Sequence, residues 1–192
     1  MFVERLFSVG ITKLALNGVE GIDNNVLNEI VKNSVLNPYN YSSAKRSIDL
    51  DDHNLNRLNQ IVLETSQSIL NQIISNPDID TFKVCLQKAW GNINTNDDIS
   101  IPHTHRESFL SAVYYPRSTD GKIYFQSPWT DHFLSHVPGF HAKEFNEFNS
   151  TYHILEPKTG WLIFFPANLI HFVPPSKEER SSIVYNIGVS VL

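Results

Sequence analysis

Near residue 81 the spacing of apolar residues changes from a helical period to a strand period, and little else in the chain limits its fold so strongly. Before that point the clearest segment is "LDDHNLNRLNQIVLETSQSILNQIISNP". Its Leu55, Leu58, Val62, Ile69, Leu70, Ile73 and Ile74 fall on one helical stripe, Asp51 or Asp52 can cap it, and Asn76-Pro77 ends it. A shorter helix is predicted in "DNNVLNEIVKNSVLNP", capped by Asp23, Asn24 or Asn25 and stopping before Pro38. "FVERLFSVGITKLAL" reads as one or two short strands that end at the turn "NGVEG".

After residue 81 the pattern is of short strands. "FKVCLQKAW" alternates and is followed by "GNINTNDD", read as a polar turn. "FLSAVYY", "KIYFQS", "TYHILE", "WLIFFP", "HFV" and "SSIVYNIGVSVL" follow, with Pro and Gly punctuation between them. Many short strands of this kind predict a β-sandwich or barrel, with the two helices packed on one outer face. The longest irregular piece, about residues 128–150, has room for a short helix near 142–148, and a loop of that length is often a lid or binding loop. At 192 residues a single domain is expected, long enough to bury a core without staples.

The net charge of −5 and the absence of a Lys/Arg cluster argue against nucleic acid as the main partner. One cysteine, Cys85, excludes an internal disulfide and points to a reducing, cytoplasmic setting; it is expected to be a buried small hydrophobe in a strand. Glu4 and Arg5 interrupt the apolar N-terminus, which therefore does not read as a signal peptide, and no apolar run reaches the roughly 20 residues of a membrane span.

The chemistry gathers in three places. In "IPHTHRESFLSAVYYP", His103 and His105 sit two apart at the mouth of a strand, where strand parity would aim both imidazoles the same way. Such a pair can hold a metal ion, or it can be two surface histidines. His171 follows the apolar strand "WLIFFP" and should run back into the sheet. Arg180 and Ser182 open the last strand. There Ile183, Tyr185, Ile187, Val189 and Val191 occupy one parity, and Arg180, Ser182, Asn186, Gly188 and Ser190 the other, with Val184 the exception. An arginine on the polar side with a hydroxyl beside it makes a fork for a carboxylate. Asn92, Tyr114, Tyr124 and Asn186 could also line a pocket, though each reads first as a structural polar or core residue. Trp90, Trp129 and Trp161 read as packing residues, and His53 as a solvent-facing one at a helix start; His132, His136, His141 and His153 are assigned no role.

The order H-x-H, His171, Arg180-x-Ser182 within β structure resembles the non-haem Fe(II), 2-oxoglutarate-dependent oxygenases, whose pattern is H-x-(D/E), H, R-x-S on a double-stranded β-helix. More narrowly, "HTHRESFLSAVYY", "GWLIFFPANLIHFVPP" and "RSSIVYN" resemble a group of such oxygenases in bacteria and marine phages, over about residues 88–190. Arg106 stands where that group has proline, and Ala112 where it has glycine.

The resemblance implies a mainly β fold with N-terminal α-helices around a jelly-roll, cupin-like core. It implies one oxygenase domain over 1–192, with 1–80 as a helical support and 81–192 as the double-stranded β-helix. It implies that His103, His105 and His171 ligate Fe(II), and that Arg180, assisted by Ser182, binds the distal carboxylate of 2-oxoglutarate. O2 would then be consumed, an unidentified substrate hydroxylated, and succinate and CO2 released. His105 stands where most of the class has Asp or Glu, and Glu107, of the same strand parity, is the alternative third ligand. A cupin-type dioxygenase without 2-oxoglutarate would leave Arg180 and Ser182 without a role, and it lacks the usual glutamate, since Phe109 and Leu110 stand there. A non-enzymatic β-sandwich would make the histidines surface residues. Zinc hydrolysis lacks the further Asp-His that usually extends such a motif.

Overall fold

The computed structural model describes residues 9–73, 82–128 and 150–191. Among the described residues, two helices and ten strands are arranged in three layers. α1 (Asn24–Asn33) is capped by Asp23, whose carboxylate accepts from the amides of Asn25 and Val26. α2 (Asn56–Ile73) follows a single 3-10 turn, His53–Leu55, capped in the same way by Asp52. His53 faces water, as its place in the sequence predicts.

The strands are β1 (Thr12–Ala15), β2 (Lys45–Ser47), β3 (Phe82–Asn94), β4 (Ser100–His103), β5 (Leu110–Arg117), β6 (Ile123–Gln126), β7 (Tyr152–Leu155), β8 (Trp161–Pro166), β9 (His171–Val173) and β10 (Arg180–Val191). They form a six-stranded sheet in the order β1-β8-β5-β10-β3-β2 and a four-stranded sheet in the order β4-β9-β6-β7. All the pairings are antiparallel. This is the two-sheet jelly-roll that the strand pattern and the resemblance imply.

The large sheet is buried on both faces, which is why its central strands read as continuous apolar runs. On one face Leu110, Ala112, Tyr114, Leu162, Phe164, Ile183, Tyr185 and Ile187 meet Leu27 and Val31 of α1 and Leu58 and Val62 of α2. On the other face Val113, Tyr115, Ile163, Phe165 and Val184 meet Ile123 and Phe125 of the small sheet. The parity read in the last strand is the parity observed, with Val184 packed between the sheets.

Three local expectations are corrected. Residues 91–94 are strand, not turn: β3 runs on through them, with Asn92 and Asn94 buried opposite Ser182 and Arg180. Their polar character reflects a polar cavity wall rather than solvent. Cys85 is exposed, not buried; it shares a strand face with Lys83 and Gln87, while Val84 and Leu86 turn toward the helices. β4 ends at His103, so His105 lies beyond the strand. The end of α2 near Pro77, the loop with its proposed helix at 142–148, Trp129, His132, His136 and His141 lie outside the described residues.

Candidate metal and carboxylate site

His103 and His171 are directly opposed in the β4–β9 pairing, so both side chains leave the same face of the small sheet. His105, two residues past the end of β4, is brought in by its own backbone: its N–H donates to the Ala167 carbonyl at 2.7 Å, joining the two loops. The three imidazoles converge with ring centroids 4.4 to 5.2 Å apart. One nitrogen from each lies within 4.8 Å of the others. Convergence therefore holds for all three, but cross-strand pairing brings His103 to His171, and a loop contact rather than the expected strand parity brings in His105. Glu107 lies exposed in the turn after His105 and is not part of the group.

Each ring is oriented through its Nδ1. His103 Nδ1 donates to the Ile101 carbonyl at 2.7 Å, and His171 Nδ1 to the Leu169 carbonyl at 2.9 Å. A carbonyl only accepts, so both rings carry the proton on Nδ1 and leave Nε2 as a bare lone pair. His105 Nδ1 is held at 2.7 Å from Asn186 Oδ1 and at 2.6 Å from Ser111 Oγ. Its Nε2 is buried and has no hydrogen-bond partner. An orphaned buried acceptor facing two further lone pairs is what an electrophilic ion would satisfy, and the same Nδ1 bonding is what fixes ligating histidines in metal centres. The donor set thus fits a divalent metal ion.

Burial keeps these rings neutral. It pushes His105 down to about 4, with His103 adding repulsion and the Asn186 bond opposing. His171 falls well below the ordinary imidazole value, through burial first and then its two neighbours. His103 is lowered mainly by burial, against the Ile101 bond. A neutral imidazole is the ligating form, so at pH 7 no proton has to leave before a metal enters.

The same cavity is lined by Arg180 and Ser182, both on β10 and both nearly inaccessible. Arg180 is 2% exposed. One terminal N–H donates to the Lys122 carbonyl at 3.0 Å, and the guanidinium lies 5.9 Å from the Tyr115 ring. Its Nε has no partner, and among the described residues no carboxylate lies within ion-pair distance of it. Burial lowers its pKa, and Asp120 supports its charge only from beyond ion-pair distance, so an anion entering the cavity would offset a burial that is otherwise costly. Ser182 Oγ accepts from Asn92 Nδ2 at 3.5 Å, and a chain of polar side chains runs on from Asn92 through Ser42 to Ser100.

Asn186 and Asn92, named from the sequence as pocket candidates, do stand at the site, while Ser111, Tyr41 and the cavity-lining side of Trp90 were not foreseen. Asn186 and Ser111 hold His105; Asn186 shares the parity of Arg180 and Ser182, and that was the available signal. Tyr41 stacks on His103 at 4.3 Å from the N-terminal half, where no motif announces it. Trp90, read as packing only, also lines the cavity, as does Asn92. Tyr114 instead faces the helices and donates to Asn24, and Tyr124 stacks on Phe172.

Comparison with known proteins places the chain in a family and a fold. A family model described as "Putative 2OG-Fe(II) oxygenase" matches residues 88–186. No curated protein sequence matches. Among solved structures, a 2OG-Fe(II) oxygenase family oxidoreductase from Burkholderia pseudomallei superposes with a TM-score of 0.59 at 13% identity, covering 93% of this chain and 85% of its own. A Pseudomonas putida prolyl-4-hydroxylase gives 0.57 at 15% identity, with 93% of each chain covered. HygX from Streptomyces hygroscopicus, with nickel, 2-oxoglutarate and hygromycin B bound, gives 0.62 at 12% identity, covering 94% of this chain and 83% of its own. These likenesses show a shared fold, and the family match spans just over half of the sequence, including all five candidate site residues His103, His105, His171, Arg180 and Ser182: the chain belongs to the 2OG-Fe(II) oxygenase family.

Proposed function

We propose that His103, His105 and His171 hold Fe(II) through Nε2, and that Arg180, with Ser182 beside it, receives the distal carboxylate of 2-oxoglutarate. In this reading the enzyme hydroxylates a C–H bond of a substrate not yet identified, in a cytoplasmic, reducing setting. Family membership supplies the activity class and the two cofactors. The residue assignment rests above all on one observation: three imidazoles with engaged Nδ1 atoms share one cavity with a buried guanidinium that, among the described residues, has no carboxylate within ion-pair distance.

When bound, the iron supplies the coupling of oxidative decarboxylation to substrate hydroxylation. The protein's part is orientation and exclusion of water. Asn186, Ser111 and the carbonyls of Ile101 and Leu169 hold the imidazoles in one tautomer. Arg180 sets the register of the oxo-acid, its charge matched by a carboxylate rather than left buried alone. Val113 and Phe165, buried between the sheets, keep the inner wall dry. A three-histidine set is one negative charge poorer than the usual two-His, one-carboxylate triad, so it should hold Fe(II) less tightly and discriminate among divalent metals differently.

The test is an anaerobic titration with Fe(II) and then 2-oxoglutarate, whose bidentate chelation should give a visible charge-transfer band. His171→Ala should lose the metal and the band. Arg180→Ala should keep the metal but raise the 2-oxoglutarate needed for half-maximal band by about tenfold or more. Fe(II) binding by His171→Ala equal to the parent's would overturn the assignment.

A further inference from the structure

The chain as a whole is acidic, yet no Asp or Glu is among the described residues lining the cavity. Besides Arg180, two further cations stand on the cavity side of the large sheet. Lys45 on β2 lies directly opposite Asn92, and Lys88 on β3 directly opposite Asn186. Directly opposed residues share a face. Asn92 lines the cavity and Asn186 holds His105, so both lysines belong to the rim of the same site.

Lys45 is held in a defined position. Its Nζ sits 4.7 Å from the Tyr39 and Trp90 ring centroids and 5.5 Å from that of Tyr41. It donates to Tyr41 Oη at 3.3 Å. Tyr41 in turn stacks on His103, so the ammonium is tied to the metal-side histidine through one ring. The aromatic rings hold the head group by its charge and cover the stem, but they supply no carboxylate. Among the described residues neither Lys45 nor Lys88 has an ion-pair partner.

We propose that the hydroxylated substrate carries an anionic group, a carboxylate or a phosphate, that docks on Lys45 at the rim with Lys88 adding a second positive charge. This rests on the metal and co-substrate assignment above. Arg180 is committed to the oxo-acid, so the rim lysines are free to select the second ligand. Anchoring it there by its charge fixes which C–H bond is presented toward the histidines.

The probe pair is benzoate and its neutral isostere benzamide, offered to Co(II)-loaded protein saturated with 2-oxoglutarate. The readout is paramagnetic relaxation of the probe's ring protons. Benzoate should be relaxed about tenfold more strongly than benzamide, as expected for one charge-assisted hydrogen bond, and the difference should shrink as salt is added. Lys45→Met should abolish the preference, Lys88→Met should reduce it, and Lys45→Arg should retain it. A parent protein that binds Co(II) and 2-oxoglutarate but relaxes both probes equally overturns the proposal alone. So does a Lys45→Met, Lys88→Met double variant that keeps the preference. If that double variant instead needs more 2-oxoglutarate for saturation, the lysines serve the co-substrate and the proposal also falls. Failure of the parent to bind Co(II) or 2-oxoglutarate is visible before any probe is added, and it counts against the cofactor assignment.

Discussion

His105 is the residue on which the proposed metal site turns, because nothing in a regular strand places it. Its ring is set by Asn186 and Ser111, and both contacts converge on one nitrogen. Asn186→Leu should therefore weaken Co(II) binding by about 10- to 100-fold, while Asn186→Asp, which keeps the acceptor, should retain most of it. A merely structural asparagine would lower the melting temperature in the leucine variant and leave the Co(II) absorption spectrum unchanged. The three rings also make a pH prediction for the metal-free protein. An unfolded histidine titrates near 6.5, whereas folded His105 is pushed down to about 4 and His171 well below its ordinary value. Between those limits the unfolded chain binds more protons, so stability rises with pH and is lost on acidification. Melting temperature should fall from about pH 7 to about pH 4.5, and His105→Gln should flatten that slope relative to the parent. That His103, His105, His171, Arg180 and Ser182 gather in one cavity was legible from the H-x-H, His, R-x-S order and its family resemblance; their proposed roles rest on that resemblance. Ser111 and Lys45 were not, and Asn186 was visible only as one pocket candidate among several, since an Asn, a Ser or a Lys in a strand has many ordinary uses and only tertiary contact separates them.

At the scale of elements, the turn between β5 and β6 decides how Arg180 lies. A Cβ on Gly121 would come within 2.4 Å of Arg180 Nη1 and 2.5 Å of its Cδ. The guanidinium is buried, so it has nowhere to retreat without giving up the Lys122 carbonyl. Gly121→Ala should thus behave as a milder Arg180→Ala. The midpoint of the 2-oxoglutarate titration should rise several-fold, the Fe(II) midpoint should stay within about twofold, and heat stability should drop by about 1–3 kcal/mol from overpacking. Equal weakening of metal and co-substrate would show that the turn supports the whole cavity rather than the arginine. Strand identities were legible from alternation and punctuation, most clearly in β10. The extension of β3 through Asn94 was not, because "GNIN" has the composition of a turn. A cavity wall made of amides looks like solvent exposure when only the sequence is read. The place of His105 beyond β4 was equally hidden, since the 2.7 Å bond that fixes it runs to Ala167, 62 residues away.

For the molecule as a whole, the question is whether the helical N-terminal part is an attachment or part of the fold. The sequence suggests a support over 1–80 and a core over 81–192, and the layers show what such a support would have to cover. β1 pairs with β8 at one edge of the large sheet, and β2 pairs with β3 at the other. Leu27, Val31, Leu55, Leu58 and Val62 are all at most 1% exposed against that sheet. Each fully buried side chain of this kind contributes roughly 1.5–3 kcal/mol, so together they amount to about 8–15 kcal/mol. That is comparable to the whole net stability of a domain, about 5–15 kcal/mol. Removing residues 1–80 would also expose Tyr114, Phe164, Tyr185 and Ile187 on a contiguous apolar face. We therefore expect a fragment spanning 81–192 to fail as an independent unit, although it contains every proposed ligand. It should bind a hydrophobic dye, lack a cooperative melt and take up no stoichiometric Co(II). Adding residues 9–73 as a separate polypeptide should restore the melt if packing alone is required. A fragment that melts cooperatively and binds Co(II) by itself would show that the two sheets suffice, and that the helices serve the rim, where Tyr41 and Lys45 enter, more than the core.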